Sequence, residues 1–137
     1  MDFRITDKPS EDEISAIYRG LLEYNLARIE DKDVRELGIF QEDETGKLTA
    51  GLVGETHGNW LEVKYLWVDE ALRGQDIGTK LIETAEKTAK DRGCRFSFLN
   101  TFGFQARGFY IKQGYEEVFT LSQYPLTGTR HYLTKTL

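Results

Sequence analysis

Nine residues from Trp60 to Val68, WLEVKYLWV, lead through a short loop with two glycines into a helical pattern that runs from Ile77 to Arg92. Dense β-branched and aromatic side chains predict a strand in the first segment. In the second, Ile77, Leu81, Ile82, Ala85 and Ala89 recur on one helical face, with Gly93 where a C-terminal cap belongs. Glu83–Lys87 and Glu86–Lys90 are spaced to pair on the opposite face. Alternation in the strand groups Leu61, Val63, Tyr65 and Trp67 on one side, and Trp60, Glu62, Lys64, Leu66 and Val68 on the other. A strand that passes at once into such a helix has to bury both in a layered sheet-and-helix fold.

The flanking segments extend this pattern. Phe3 to Thr6 alternates like a short strand, and Ser10 with Glu13 forms a capping box ahead of a stripe of Ile14, Ile17, Tyr18, Leu21 and Leu22. That stripe predicts a core-facing helix to about Leu26. Leu37 to Gln41 and Leu48 to Glu55 flank the turn residues 44–47 and predict a hairpin. Arg95 to Thr101 reads as a strand, Phe104 to Gln113 as a short helix, and Tyr115 to Leu121 and His131 to Leu137 as closing strands. The fold class is therefore α+β: one domain over 1–137, with a mixed central sheet and helices on both faces, in the order β-α-β-β-β-α-β-α-β-β.

Composition narrows the function classes. A chain of 137 residues with one cysteine and two histidines has no internal disulfide, no cysteine-based zinc site and no evident metal pair. A net charge of −5 without a Lys/Arg cluster argues against nucleic acid. No apolar run reaches membrane-spanning length and the first residues do not read as a secretion signal, so a cytoplasmic location is expected. Charge is uneven, at −7 over residues 1–46 and +2 over 47–137, which makes the second part easier for an anionic ligand to approach.

The chemistry concentrates in the loop Asp69 to Gly78. Backbone N–H groups at a helix N-terminus attract an anion, and glycine lets a phosphate come close. A tight turn that uses glycine only for its conformation is the alternative for this segment alone. There is no Gly-Lys-Ser/Thr for a P-loop, and the Gly74/Gly78 spacing is not that of a dinucleotide-binding turn.

Arg73-Gly74-Gln75-Asp76-Ile77-Gly78 resembles the acyl-CoA motif Q/R-x-x-G-x-G/A of the GNAT superfamily of N-acetyltransferases, matching at the Arg and the last Gly and departing at Asp76. Asn100, Ala106, Tyr110, Lys112 and Gly114-Tyr115 resemble that family's later segment, so the likeness covers about Trp60 to Tyr115. The resemblance implies acetyl-CoA as co-substrate, with its pantetheine arm on the backbone of Leu66-Trp67-Val68 and its diphosphate on the amides of Gly74 to Gly78. It also implies cofactor contacts at Asn100 and Ala106, and Tyr110 as the acid that protonates the departing thiolate. Asp76 carries two readings: its carboxylate either faces and opposes the diphosphate, or sits on a left-handed N-cap and turns onto helix amides.

Other polar residues carry two readings each. Glu62 stands where some family members place a base, and equally reads as a carboxylate that is exposed or paired near Lys64. His57 sits in a turn, while His131 opens a strand and either borders an acceptor pocket or lies at the surface. Tyr24-Asn25 late in the first helix either faces the acceptor or packs, and Trp60 and Trp67 read as core or sheet-surface residues. Cys94 reads as a small buried residue. The implied reaction is direct acetyl transfer to a primary amine of a small molecule or peptide. A non-catalytic acyl-CoA-binding module is the alternative, and sheet edges leave room for a homodimer.

Overall fold

The computed structural model describes residues 2–137. The chain divides into two units, with the boundary between Lys32 and Asp33.

The first unit holds one helix, α1 (Glu11–Leu26), and its start is built as the sequence predicts. Ser10 Oγ accepts from the Glu13 N–H at 3.0 Å, and Glu13 Oε1 accepts from the Ser10 N–H at 2.9 Å. The strand expected at Phe3 to Thr6 does not form. A strand exists only through a neighbour's hydrogen bonds, and none pairs with it; Phe3 and Ile5 are exposed and Arg4 forms an ion pair with Glu13. The stripe of α1 forms at the predicted spacing, but none of the helix's residues is buried. A unit with a single helix has no core of its own.

The second unit is a six-stranded sheet in the order β1-β2-β3-β4-β6-β5. Its elements are β1 (Val34–Glu42), β2 (Leu48–His57), β3 (Trp60–Val68), α2 (Ile77–Asp91), β4 (Phe96–Phe102), α3 (Arg107–Lys112), β5 (Glu116–Ser122) and β6 (Thr129–Thr136). The β1–β2 hairpin closes on Asp43, whose Oδ1 accepts from the Thr45 N–H at 2.8 Å and the Lys47 N–H at 3.1 Å. Gly46 supplies the positive φ of that turn, +85°. All neighbouring strands are antiparallel except β3 and β4, which are parallel and joined through α2.

Leu81, Ile82, Ala85 and Ala89 bury the predicted face of α2 in a core with Leu52, Leu61, Val63, Leu99 and Leu133. The expected salt bridges on its other face are not the ones formed. Lys87 pairs with Asp91 at 3.5 Å, and Glu86 is buried. The Glu86 carboxylate accepts from Lys135 Nζ at 2.8 Å and from the Tyr115 hydroxyl at 3.1 Å. Burial makes the β6 lysine and the core tyrosine better partners for this carboxylate than a solvated Lys90. Cys94 is buried as expected, and that burial pushes its thiol pKa up.

One irregularity shapes the site. Val53 pairs with Tyr65 but Gly54 pairs with Val63, so Lys64 is an extra residue in β3. The bulge reverses the alternation read from the sequence. Leu61 and Val63 are buried, yet beyond Lys64 it is Leu66 and Val68 that pack on the core, while Tyr65 and Trp67 are exposed. Gly54 permits this close pairing, because a Cβ there would overlap the Glu62 carbonyl oxygen.

Candidate active site

β3 and β4 pair only from Trp60–Phe96 to Glu62–Phe98 and then part. The β4-facing peptide groups of residues 63–68 have no strand partner, so they line a cleft with hydrogen-bonding capacity left over. This cleft, of about 300 Å3, is bounded by Val63 to Trp67 on one side, Asn100 and Thr101 on the other, and Gln105, Ala106 and Tyr110 at its end. It adjoins a second hollow of about 540 Å3, lined by Leu66, Trp67, Val68, Arg73, Gly78 and Phe109 among others. Together the two lead from the strand split to the start of α2.

That helix start fits an anion. Asp76 is the N-cap in the left-handed conformation (φ 61°, ψ 20°), as in the second of its two readings, but its side chain makes no capping hydrogen bond. The intrahelical ladder begins with the Lys80 N–H donating to the Asp76 carbonyl at 3.1 Å, so the amides of Ile77, Gly78 and Thr79 have no partner within the helix. Gly74, with φ +84°, has no atom near the place of a Cβ. Arg73 Nε donates to the Val68 carbonyl at 3.4 Å, which ties the loop to the end of β3. Gln75 and Ile77 line a separate depression with Lys80 and Thr84.

The turn into α3 is held by Thr101 and Gln105. Thr101 Oγ1 accepts from the Ala106 N–H at 3.3 Å, and Gln105 Oε1 accepts from the Phe102 N–H at 2.9 Å. One turn later Tyr110 is 7% exposed, its ring edge-on to Phe109 and Tyr115. Behind it, Tyr115 is fixed by Ser97 at 2.8 Å and by Glu86. The Tyr110 hydroxyl has no hydrogen-bond partner among the described residues, and it lines the cleft. Burial pushes its pKa up to about 12. It is therefore a neutral donor at physiological pH.

Glu62 is placed beside this cleft rather than within it. It lines a neighbouring depression of about 420 Å3 with Lys64, Asn100, Phe102 and Arg130. Lys64 forms its ion pair with Glu55 at 3.0 Å, so the pairing considered for Glu62 is not formed. Asn100 Oδ1 accepts from Arg130 Nε at 2.8 Å, which places Asn100 between the two spaces.

The histidines fall outside. His131 is fixed between Thr129 Oγ1 at 2.9 Å, Thr120 Oγ1 at 3.2 Å and Glu117, and His57 ends β2. Trp60 lies against Phe96 and Phe98 on the sheet surface, and Tyr24 carries Arg28 over its ring in the first unit. Among the described residues there is no cluster suited to a metal ion and no helix long and apolar enough to cross a membrane. Sequence reasoning missed Arg130, because the rings that gather around it come from β4, β6 and the preceding loop.

Comparison with known proteins agrees with this geometry. A family model described as an acetyltransferase (GNAT) domain matches residues 24–117. The chain is 37% identical over 121 residues to the acetyltransferase Atu2258 of Agrobacterium fabrum, covering 88% of each protein. It is 43% identical over 95 residues to the blasticidin-S acetyltransferase of Streptomyces morookaense, covering 69% of this chain and 70% of that protein. A crystal structure from Agrobacterium tumefaciens, described as a candidate acetyltransferase, superposes with a TM-score of 0.93 at 35% identity over 100% of both chains. A split between parallel strands, a glycine-bearing helix start and a buried tyrosine at the cleft thus occur in a chain that belongs to the GNAT family of acetyltransferases.

Proposed function

We propose that this enzyme moves the acetyl group of acetyl-CoA to the primary amine of a small molecule or peptide by direct attack, with no covalent enzyme intermediate. The observation that carries this is the cleft itself: unpaired β3 peptide groups, free α2 amides at one end and the unpartnered Tyr110 hydroxyl at the other. On this proposal the peptide groups of Leu66 to Val68 hold the pantetheine arm. The amides from Gly74 to Gly78 take the diphosphate, where the helix dipole favours negative charge. Ala106 and Asn100 border the thioester end of the same cleft.

The chemistry limits what Tyr110 does. With its pKa near 12, giving a proton outright to a thiolate whose acid titrates near 8.5 is uphill by roughly 5 kcal/mol. The hydroxyl instead donates a hydrogen bond that strengthens as charge develops on sulfur, so the thiolate departs hydrogen-bonded to Tyr110 rather than fully protonated by it. For the acceptor, an amine of pKa ~10.4 is neutral in only about four molecules in ten thousand at pH 7, so a base matters. Glu62, half-buried beside the cleft, takes that proton through a water.

The relative named for blasticidin S supports a small-molecule acceptor. If the protein dimerises, a second copy pairs at the edge strands β1 or β5, and light scattering reads that state. The test of the activity is free CoA release from acetyl-CoA over a panel of primary amines. Release that depends on one class of amine supports the proposal, and a panel that gives none overturns it.

A further inference from the structure

Arg130 opens on the depression beside the cleft as a cation with only neutral partners. Its Nε donates to Asn100 Oδ1 at 2.8 Å and its Nη1 to the Tyr124 hydroxyl at 3.0 Å. Its guanidinium carbon lies 5.3 to 5.7 Å from the ring centroids of Phe102, Tyr124 and Tyr132. No carboxylate lies within ion-pair distance of it among the described residues. The group is thus half-buried, fixed in orientation and uncompensated, with N–H donors remaining for a further acceptor.

The other charges of the same depression sharpen the point. Lys64 is neutralised by Glu55, so it offers little net charge. Glu62 has no salt-bridge partner among the described residues. The depression therefore presents one fixed positive pole on β6 and one negative pole on β3, next to the cleft proposed for the thioester. An acceptor that is only cationic would leave Arg130 facing its own sign of charge. A molecule with an amine at one end and an oxyanion at the other satisfies both poles.

We propose that the acceptor is a small zwitterion, a primary amine that also carries a carboxylate or phosphonate, with the oxyanion on Arg130 and the amine toward Glu62 and the cleft. This rests on the amine-acetylating function proposed above and adds a class of substrate to it. A charge-assisted contact to a fixed guanidinium is directional, so it also sets which end of the molecule enters. Arg130 positions the acceptor and takes no part in the bond changes.

The experiment compares propylamine, β-alanine and 3-aminopropylphosphonate by free CoA release. The wild type is expected to favour the two oxyanion amines in kcat/KM by about tenfold or more, the scale of a charged hydrogen bond. Arg130→Gln is expected to erase that advantage, raising the KM of the two oxyanion amines so that their kcat/KM ratio to propylamine falls to near one. Arg130→Lys, which keeps the charge, retains part of the preference and guards against a folding defect. Carboxylate against phosphonate is read from the same panel.

A second readout uses propylphosphonate, which has no amine, titrated by calorimetry into enzyme saturated with CoA. If no amine releases CoA yet propylphosphonate binds the wild type and not Arg130→Gln, the subsite stands and the amine reaction fails. If propylamine is acetylated as well as its oxyanion counterparts, or if Arg130→Gln raises the KM for acetyl-CoA instead, the subsite is overturned and the acetyltransfer stands. Absence of both CoA release and propylphosphonate binding overturns both.

Discussion

Gly78 in the first turn of α2 faces Phe109 of α3 so closely that a Cβ on the glycine would stand 3.4 Å from the ring. The same two residues line the hollow that leads from the cleft to the free α2 amides. A side chain at position 78 has the hollow as its open direction. Gly78→Glu is therefore expected to weaken CoA binding by about tenfold or more, about 1.4 kcal/mol per decade, through bulk and like charge. A carboxylate in a helix's first turn is compatible with the dipole, so the melting temperature should change little. Calorimetry with CoA and a thermal melt separate the two effects.

Asp76 offers a cleaner charge test, because it is exposed, left-handed and uncapped. Asn tolerates the same backbone, so Asp76→Asn should hold stability within about 0.5 kcal/mol. Removing a carboxylate beside a bound diphosphate should tighten CoA several-fold, consistent with about 1 kcal/mol for unit charges in water at close range. Asp76→Ala keeps the charge loss but adds the left-handed penalty of roughly 1–2 kcal/mol. Equal CoA affinity in all three proteins would place the diphosphate elsewhere.

Acid stability reports on the support of α3. Arg107 Nε donates to Glu117 Oε1 at 2.8 Å, and His131 pairs with the same carboxylate. These bonds, that from Arg107 first, hold the Glu117 carboxyl down to about 2 from its ordinary 4.5. A lowered carboxylate pKa stabilises the fold above the unfolded value, and that stabilisation is lost as pH falls from about 4.5 toward 2. Glu117→Gln should melt lower than wild type at neutral pH, with the gap closing across that window. A gap that stays constant with pH would mean that the carboxylate's charge does not matter.

What the sequence made legible was local. The Ser10–Glu13 capping box, the turn at residues 44–47 and the buried face of α2 each depend on residues within one or two turns of chain, and each formed as read. The bulge at Lys64 was not legible, since it depends on how Gly54 of the neighbouring strand meets the Glu62 carbonyl. Phe3 to Thr6 misled because alternation describes a strand's faces and says nothing about a partner for its edges. In the site, Arg73 to Gly78 and Tyr110 were reached through their resemblance to a family's motifs, whereas Arg130 acquires its setting only when Phe102, Tyr124 and Tyr132 converge on it. Glu86 was assigned to the solvent face because its buried partners, Tyr115 and Lys135, lie far along the chain.

The central claim, that the Tyr110 hydroxyl assists acetyl transfer in the β3–β4 cleft, is tested most directly by Tyr110→Phe. The substitution removes one hydroxyl that has no hydrogen-bond partner among the described residues and leaves the ring between Phe109 and Tyr115. Fold and CoA affinity should therefore be retained. Turnover of the best amine should fall by about 10² to 10⁴, the range for losing a positioned acid. The measurement is kcat for free CoA release at saturating acetyl-CoA, with CoA binding measured on the same preparation. A kcat within a factor of about two of wild type, with CoA still bound, would contradict the account: Tyr110 would then be a core ring, and the thiolate would leave without its help.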